Sequence, residues 1–409
     1  MHGVHGTAKC AGVAKFCMLI YESAAVTAIA YFILSGLAPR LRSRRGKAFF
    51  FTAALSVYVP WFFVHTFHVR LGPWVSYAAG TWVFACLPSA VLGLPLLGIA
   101  RLRRRLKRSQ ALVTDASSPV DEGRRQAMAR LALPAISLSL GAIGSAQGNT
   151  EFIVKQVELR LRNWPKALDG FRIGQITDTH IGDFVSVETL IRAVEVLNRS
   201  SVHVQVMTGD LIDDLHYLEA TFAALQRCEA PHGMLAVLGN HEKMHSRLGP
   251  ILAAYSARLG RGPIRLLVDQ SQVIRHQGAS LCVVGVDYPM RENGHHSLRR
   301  AERMAIMAAS ADRAFAGLPT NGEPRLCLSH HPEFFPFAAK HGANATLSGH
   351  THGGQVAFLG ESLFPIYDYM LGHYRRGDSH LYVSGGTGHW LPYRLGVPAE
   401  VTVLTLRTG

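Results

Sequence analysis

Two short stretches carry side chains suited to holding a metal, Thr177-Asp178-Thr179-His180 and Gly349-His350-Thr351-His352-Gly353. Each offers ligands at i and i+2, and each follows an apolar run that reads as a buried strand. Gly209-Asp210 and Gly239-Asn240-His241-Glu242 repeat the arrangement after Val202 to Thr208 and Met234 to Leu238, and His330 follows Leu326-Cys327-Leu328. An irregular turn at a strand end can aim such side chains at one point, and Gly209 permits the tight turn that carries the Asp210 carboxylate upward. Asp210 is suited to bridge two cations, one oxygen to each. Carboxylate, amide and imidazole ligands together suit Mn, Fe or Zn better than Mg or Ca, which prefer all-oxygen shells. A lone Asp or His at a strand end is ordinarily a loop residue or a cap, so the weight lies in the series.

The elements that must position these residues begin near Glu151. Phe152 to Leu161 alternates polar and apolar residues as a half-buried strand does. Phe171 to Thr177, Leu281 to Val286, Arg325 to Ser329 and Ala343 to Ser348 read as core strands, while Ser186 to Arg199 and Leu298 to Ala316 have helical character. Strand, ligand loop, helix, strand is an α/β order.

The first 150 residues are different in kind. They hold 17 Lys+Arg against 4 Asp+Glu, which leaves 25 against 24 for residues 151–409, so the net charge of +14 divides as +13 and +1. That balance argues against a nucleic-acid partner for the C-terminal part, because phosphate contacts need clustered Lys and Arg. Cys17 to Ala38, Ala48 to Val69 and Pro73 to Ala100 are apolar stretches long enough, at about 20 residues, to cross a bilayer core as helices. Leu131 to Ala146 is a shorter fourth, retained as a helix or serving as an export signal behind Arg124-Arg125. Basic residues at 40–47 and 101–108 flank these stretches and read as cytoplasmic loops. The expectation is therefore an all-α transmembrane region of about four helices over 1–150, in a multi-pass bacterial inner-membrane protein, with 151–409 extracytoplasmic. The six cysteines have no metal-like spacing, and Cys282 and Cys327 read as buried, inert thiols.

The ordered motifs Asp-x-His, Gly-Asp-x-x-Asp, Gly-Asn-His-Glu, a lone His and Gly-His-x-His, spread over some 180 residues, resemble the calcineurin-like metallophosphoesterase superfamily. The likeness covers roughly 165–409 and is greatest to its membrane-attached bacterial phosphodiesterase-like branch, through Gly-His-Thr-His-Gly-Gly-Gln and the stretch from Leu381 to Arg394. The resemblance implies a four-layer α/β/β/α sandwich and two divalent metal ions. It places Asp178, His180 and His352 on one metal, Asn240, His330 and His350 on the other, and Asp210 between them. It further implies a bridging hydroxide as nucleophile and His241 as the catalytic group that protonates the leaving oxygen or stabilises the transition-state charge. Asp213 would orient a neighbour, Glu242 would be structural, and His331 competes with His330 for the ligand role. The implied reaction is hydrolysis of a phosphate ester, a phosphodiester or pyrophosphate, with a lipid-linked substrate favoured by tethering at a bilayer. The competing reading is a membrane transporter or sensor whose outer domain binds phosphates without cleaving them.

Overall fold

The computed structural model describes residues 24, 27–35, 39–67, scattered positions between 78 and 102, 119–148, and 151–409 except 183, 244–247, 259–260, 292–297, 319–321 and 391–392. The chain divides into two compact units, Met1–Asn149 and Thr150–Gly409.

In the first unit, helix α1 spans Arg44–Phe67 and helix α2 spans Pro119–Gly148. Among the described residues no helix is long and apolar enough to cross a membrane. This overturns the expected transmembrane region of about four helices, and with it the multi-pass inner-membrane placement and the extracytoplasmic catalytic domain. The physical reason lies in the length of the apolar runs. In α1 the first turn carries Arg44, Arg45 and Lys47, and 17 residues separate Lys47 from His65, about 26 Å of helix, at the lower limit for a hydrocarbon core of about 30 Å. In α2 the charged segment Asp121 to Arg130 leaves a still shorter run rich in Ser, Gly and Ala. The stretches Cys17 to Ala38 and Pro73 to Ala100 lie largely outside the described residues.

The second unit holds two six-stranded sheets. Strands β1 (Ile153–Leu161), β2 (Phe171–Ile176), β3 (Val204–Thr208), β4 (Met234–Val237) and β5 (Ile264–Leu266) belong to the first. Strands β6 (Gln270–His276), β7 (Ala279–Gly285), β8 (Arg325–Leu328) and β9 (Ala345–Ser348) belong to the second. A two-residue hairpin, β10 (Ala357–Phe358) and β11 (Glu361–Ser362), follows; β12 (Gly372–Arg376) and β13 (Ser379–Val383) complete the second sheet, and β14 (Glu400–Thr408) returns to the first. The orders are β1-β14-β2-β3-β4-β5 and β12-β13-β9-β8-β7-β6. Both sheets are mixed, with parallel centres: β2 to β5 run parallel, as do β7, β8, β9 and β13.

The sheets face each other across a core that includes Phe171, Ile173, Val204, Val206, Leu235, Val237, Leu281, Val283, Leu326, Leu328 and Leu347. Helix α3 (Val187–Arg199) covers the outer face of the first sheet with Leu190, Ala193, Val194 and Leu197, an i, i+3, i+4, i+7 stripe. Helices α4 (Leu218–Leu225) and α5 (Leu248–Arg258) pack on the same face. Helices α6 (Arg300–Ala314) and α7 (Phe335–Lys340) cover the second sheet through Met307, Ala311 and Ala338. The result is a four-layer α/β/β/α sandwich, and burial on both faces explains why β3 and β4 read as unbroken apolar runs. Free cysteines Cys228, Cys282 and Cys327 are buried within it, and burial pushes their thiols up.

Register brings the ligand loops together. Ile176 pairs with Met207, Thr208 with Val237 and Leu328 with Leu347, so β2, β3, β4, β8 and β9 end at one edge of the sandwich.

Candidate metal centre

At that edge seven side chains foreseen as ligands converge. His180 Nε2 and His352 Nε2 lie 3.1 Å apart, and Asp178 Oδ1 lies 3.4 Å from His352 Nε2. Beside them, His330 Nε2 lies 3.2 Å from His350 Nδ1, 3.2 Å from Asn240 Oδ1 and 3.1 Å from Asp210 Oδ2. The two groups meet at Asp210, whose Oδ2 is also 3.7 Å from His180 Nε2. Asp178, His180, Asp210, His330 and His352 are all buried.

Such crowding fits cations. Ligand atoms bound at 2.0–2.2 Å in tetrahedral or octahedral shells stand about 2.8–3.6 Å from one another, and all the separations above but the 3.7 Å from Asp210 to His180 fall in that range. Four imidazole nitrogens and two carboxylates pointing inward, with no apolar side chain between them, form a donor set that cations would satisfy and protons alone satisfy poorly.

The outer atoms of the rings are held. His330 Nδ1 donates to Thr208 O at 2.7 Å, which leaves Nε2 as the inward lone pair. His350 Nε2 meets the Tyr367 hydroxyl at 3.1 Å, so its Nδ1 is the inward atom. Asp213 serves two rings: Oδ1 accepts from His241 Nδ1, and Oδ2 lies 3.3 Å from His180 Nδ1. Asp178 accepts the His350 N–H at 3.0 Å and the Thr177 hydroxyl at 2.7 Å. Glu242 is buried and accepts N–H bonds from Asp210, Leu211 and Gly239 at 2.8, 2.6 and 2.7 Å, tying the β3 loop to the β4 loop.

The charges within this cluster oppose burial. Burial alone would lower His180 and His330; the carboxylates of Asp213, Asp210 and Asp178 outweigh it for His180, and those of Asp210 and Asp178 for His330, lifting them to about 9 and about 10. Burial raises Asp178, while Asp210, which burial would also raise, is held well below its ordinary value by His330 and His241. Burial and then His330 bring His350 down to about 3; burial, His180 and Arg394 hold His352 well below its ordinary value.

The backbone is strained where ligands sit. Asp178, His180, Asp210, His350 and His352 all have left-handed φ, between 49° and 74°. Each costs a non-glycine residue on the order of 1 kcal/mol. Glycines make the close approach possible: a Cβ on Gly349 would sit 2.1 Å from Asp178 Oδ2, and one on Gly239 would sit 2.1 Å from Asp210 Oδ1.

Of the other residues singled out from sequence, His331 packs its ring on that of His350, centroids 4.7 Å apart, and its Nδ1 accepts from Glu333 N–H at 3.2 Å. Arg394 is fully buried behind His352 and donates to the carbonyls of Gly385, Gly386, Gly388 and Val397. Tyr367 escaped notice as a partner of His350, because its place depends on a long loop and no local spacing marks it. His245, His295 and His296 lie outside the described residues.

An α/β sandwich whose strand ends gather Asp, Asn and His side chains in this way defines a metal-dependent hydrolase. The family model described as calcineurin-like phosphoesterase matches residues 171–354. The metallophosphoesterase YkuE of Bacillus subtilis is 30% identical over 253 residues, covering 60% of this chain and 82% of that protein. Phosphodiesterase YaeI of Escherichia coli is 38% identical over 248 residues, 58% of this chain and 82% of its own length. A Danio rerio protein named transmembrane protein with metallophosphoesterase domain is 26% identical over 336 residues, 79% of this chain and 72% of that one. The chain belongs to the calcineurin-like phosphoesterase family, and it is a phosphoric ester hydrolase.

Proposed function

We propose that the chain hydrolyses phosphodiesters with two divalent cations, Mn, Fe or Zn, one held by Asp178, His180 and His352, the other by Asn240, His330 and His350, with Asp210 shared. The observation that carries this reading is the meeting of the two groups of ligand atoms at Asp210, 3.1 Å from His330 Nε2 and 3.7 Å from His180 Nε2. Bound there, such cations supply positive charge that neutralises a phosphoryl group and lowers the pKa of water. A kinship with a phosphodiesterase, YaeI, supports the diester over other phosphate esters.

The chain's own groups do the rest. His241 donates Nδ1–H to Asp213, so its Nε2 faces the cleft, 4.0 Å from Asp210 Oδ2. As water oxygen bonds to phosphorus and sheds a proton to solvent, the bond to the leaving oxygen breaks and a proton on His241 Nε2 passes to that oxygen, giving a monoester and an alcohol; solvent then returns a proton to His241. A lipid-linked substrate rested on tethering at a bilayer, and it loses that ground where no helix among the described residues can span one. The transporter reading rests on the same spans.

Bis(p-nitrophenyl) phosphate with added Mn²⁺ tests the proposal. His241→Ala should lower kcat by about 10²–10⁴-fold, the usual worth of a positioned proton donor, with metal content retained. An unchanged kcat would remove His241 from the chemistry, and no hydrolysis of any phosphate ester by the metal-loaded chain would sink the function.

A further inference from the structure

The cleft over the metal centre encloses about 330 Å³. Besides the metal-facing His and Asp side chains and Asn240, it is lined by the apolar Phe364, Ile366 and Trp390 and by the polar Thr351, Gln355 and Tyr367. Asp210 aside, no Asp, Glu, Lys or Arg lines the cleft among the described residues. The three apolar side chains are far from buried, with 50%, 74% and 46% of their surface in water. Phe358, Leu359 and Leu363, on and beside the β10–β11 hairpin, are exposed as well, so apolar surface runs outward from the cleft along one loop. Scattered exposed apolar residues are ordinary, but a contiguous group marks a recognition surface.

The loop is tied so as to hold these side chains out. Leu363 N–H donates to Val356 O and Ile366 N–H to Phe364 O, both at 2.9 Å, and Phe364 N–H donates to Ser362 Oγ at 3.2 Å. A backbone held in this way, with apolar groups turned outward, suits a ligand that arrives. A phosphodiester brings two ester groups to the centre, one leaving and one retained. A charged or strongly hydrated group laid against Phe364, Ile366 and Trp390 would lose water without gaining a partner from them.

We propose that Phe364, Ile366 and Trp390 form a subsite for the retained ester group of the substrate, and that this group is apolar, an alkyl, acyl or aryl chain. The proposal rests on the phosphodiesterase reading for its chemistry, and on the exposed apolar side chains in the cleft's lining for its specificity. Amphiphilic phosphodiesters are then preferred over nucleotides and sugar phosphates, whose retained groups are hydrated.

The test uses the full metal-loaded chain and p-nitrophenyl methyl, butyl and octyl phosphates, each below the concentration at which it aggregates. The leaving group is constant, so only the retained chain varies. The value of kcat/KM should rise two- to fourfold per methylene, fourfold being the ceiling set by about 0.8 kcal/mol per buried methylene. Calorimetric Kd values for butyl and octyl phosphate should tighten with the same slope. In Phe364→Ser/Ile366→Ser that slope should fall by half or more, and Trp390→Ala should lower it independently. A flat series with hydrolysis intact would overturn the subsite and leave the phosphodiesterase standing. Chain-length-dependent binding with no hydrolysis would keep the subsite and fail the phosphodiesterase. A dependence found only when the esters are presented in phosphatidylcholine vesicles would overturn the subsite in favour of surface docking.

Discussion

Tyr367 shows how much a single hydroxyl contributes to the account. For His350 Nδ1 to face a cation, Nε2 must carry the ring proton, and the Tyr367 oxygen 3.1 Å away accepts it. Removing that oxygen frees the ring to turn and to adopt the other tautomer. Tyr367→Phe is expected to weaken binding at the Asn240, His330 and His350 site by about 10–100-fold, as loss of such a partner commonly does, while the site on Asp178, His180 and His352 keeps its affinity. Metal titration by calorimetry separates the two; equal weakening at both would point to a general loss of structure. The ligand types themselves were readable in the sequence because Asp178 and His180, or His350 and His352, stand two apart and so mark one strand end locally. Tyr367, Phe364 and Trp390 were not, because a loop brings them to the cleft and nothing in their immediate neighbours records where that loop closes.

Among the elements, the strand ends are what the sequence described best and the left-handed turns what it described least. Continuous apolar runs such as Val204 to Met207 have few alternatives once they are short and bounded by Gly and Asp, so the core strands could be placed. That five ligand residues would adopt positive φ could not, because glycine is the only residue whose identity announces that conformation. Gly349 tests how tightly the elements meet. A Cβ there would sit 2.1 Å from Asp178 Oδ2 and 2.2 Å from Thr177 Oγ1, so β2 and β9 could keep their spacing only if Asp178 moved. Gly349→Ala should lower kcat/KM on the order of 10²-fold, the cost of misplacing a reacting group by about 1 Å, and destabilise the chain by about 1–3 kcal/mol through overpacking. Urea unfolding and steady-state kinetics check both figures; wild-type values would mean the strands have slack. Misreading of the N-terminal stretches has an equally physical cause. Apolar composition suggested spans, but among the described residues no helix is both long and apolar enough to cross a membrane.

For the molecule as a whole, the site is held by both sheets and therefore reports on their union. Asp178, Asp210 and Asn240 come from the first sheet's strand ends, His330, His350 and His352 from the second's. A cation that binds this assembled edge and not the unfolded chain must stabilise the fold, by about 2.7 kcal/mol per site at one hundred times Kd. Urea unfolding with Mn²⁺, and again after chelation, should show that difference, and Asp210→Ala should abolish most of it. The account as a whole stands on two cations sharing Asp210. Its most direct test is the number of metal ions per chain at saturation, counted by mass spectrometry alongside hydrolysis of bis(p-nitrophenyl) phosphate. Two ions per wild-type chain, with one or none in Asp210→Asn and hydrolysis lost with them, is the result predicted. One ion or none at saturation in the wild type, or hydrolysis that survives full removal of metal, would contradict it.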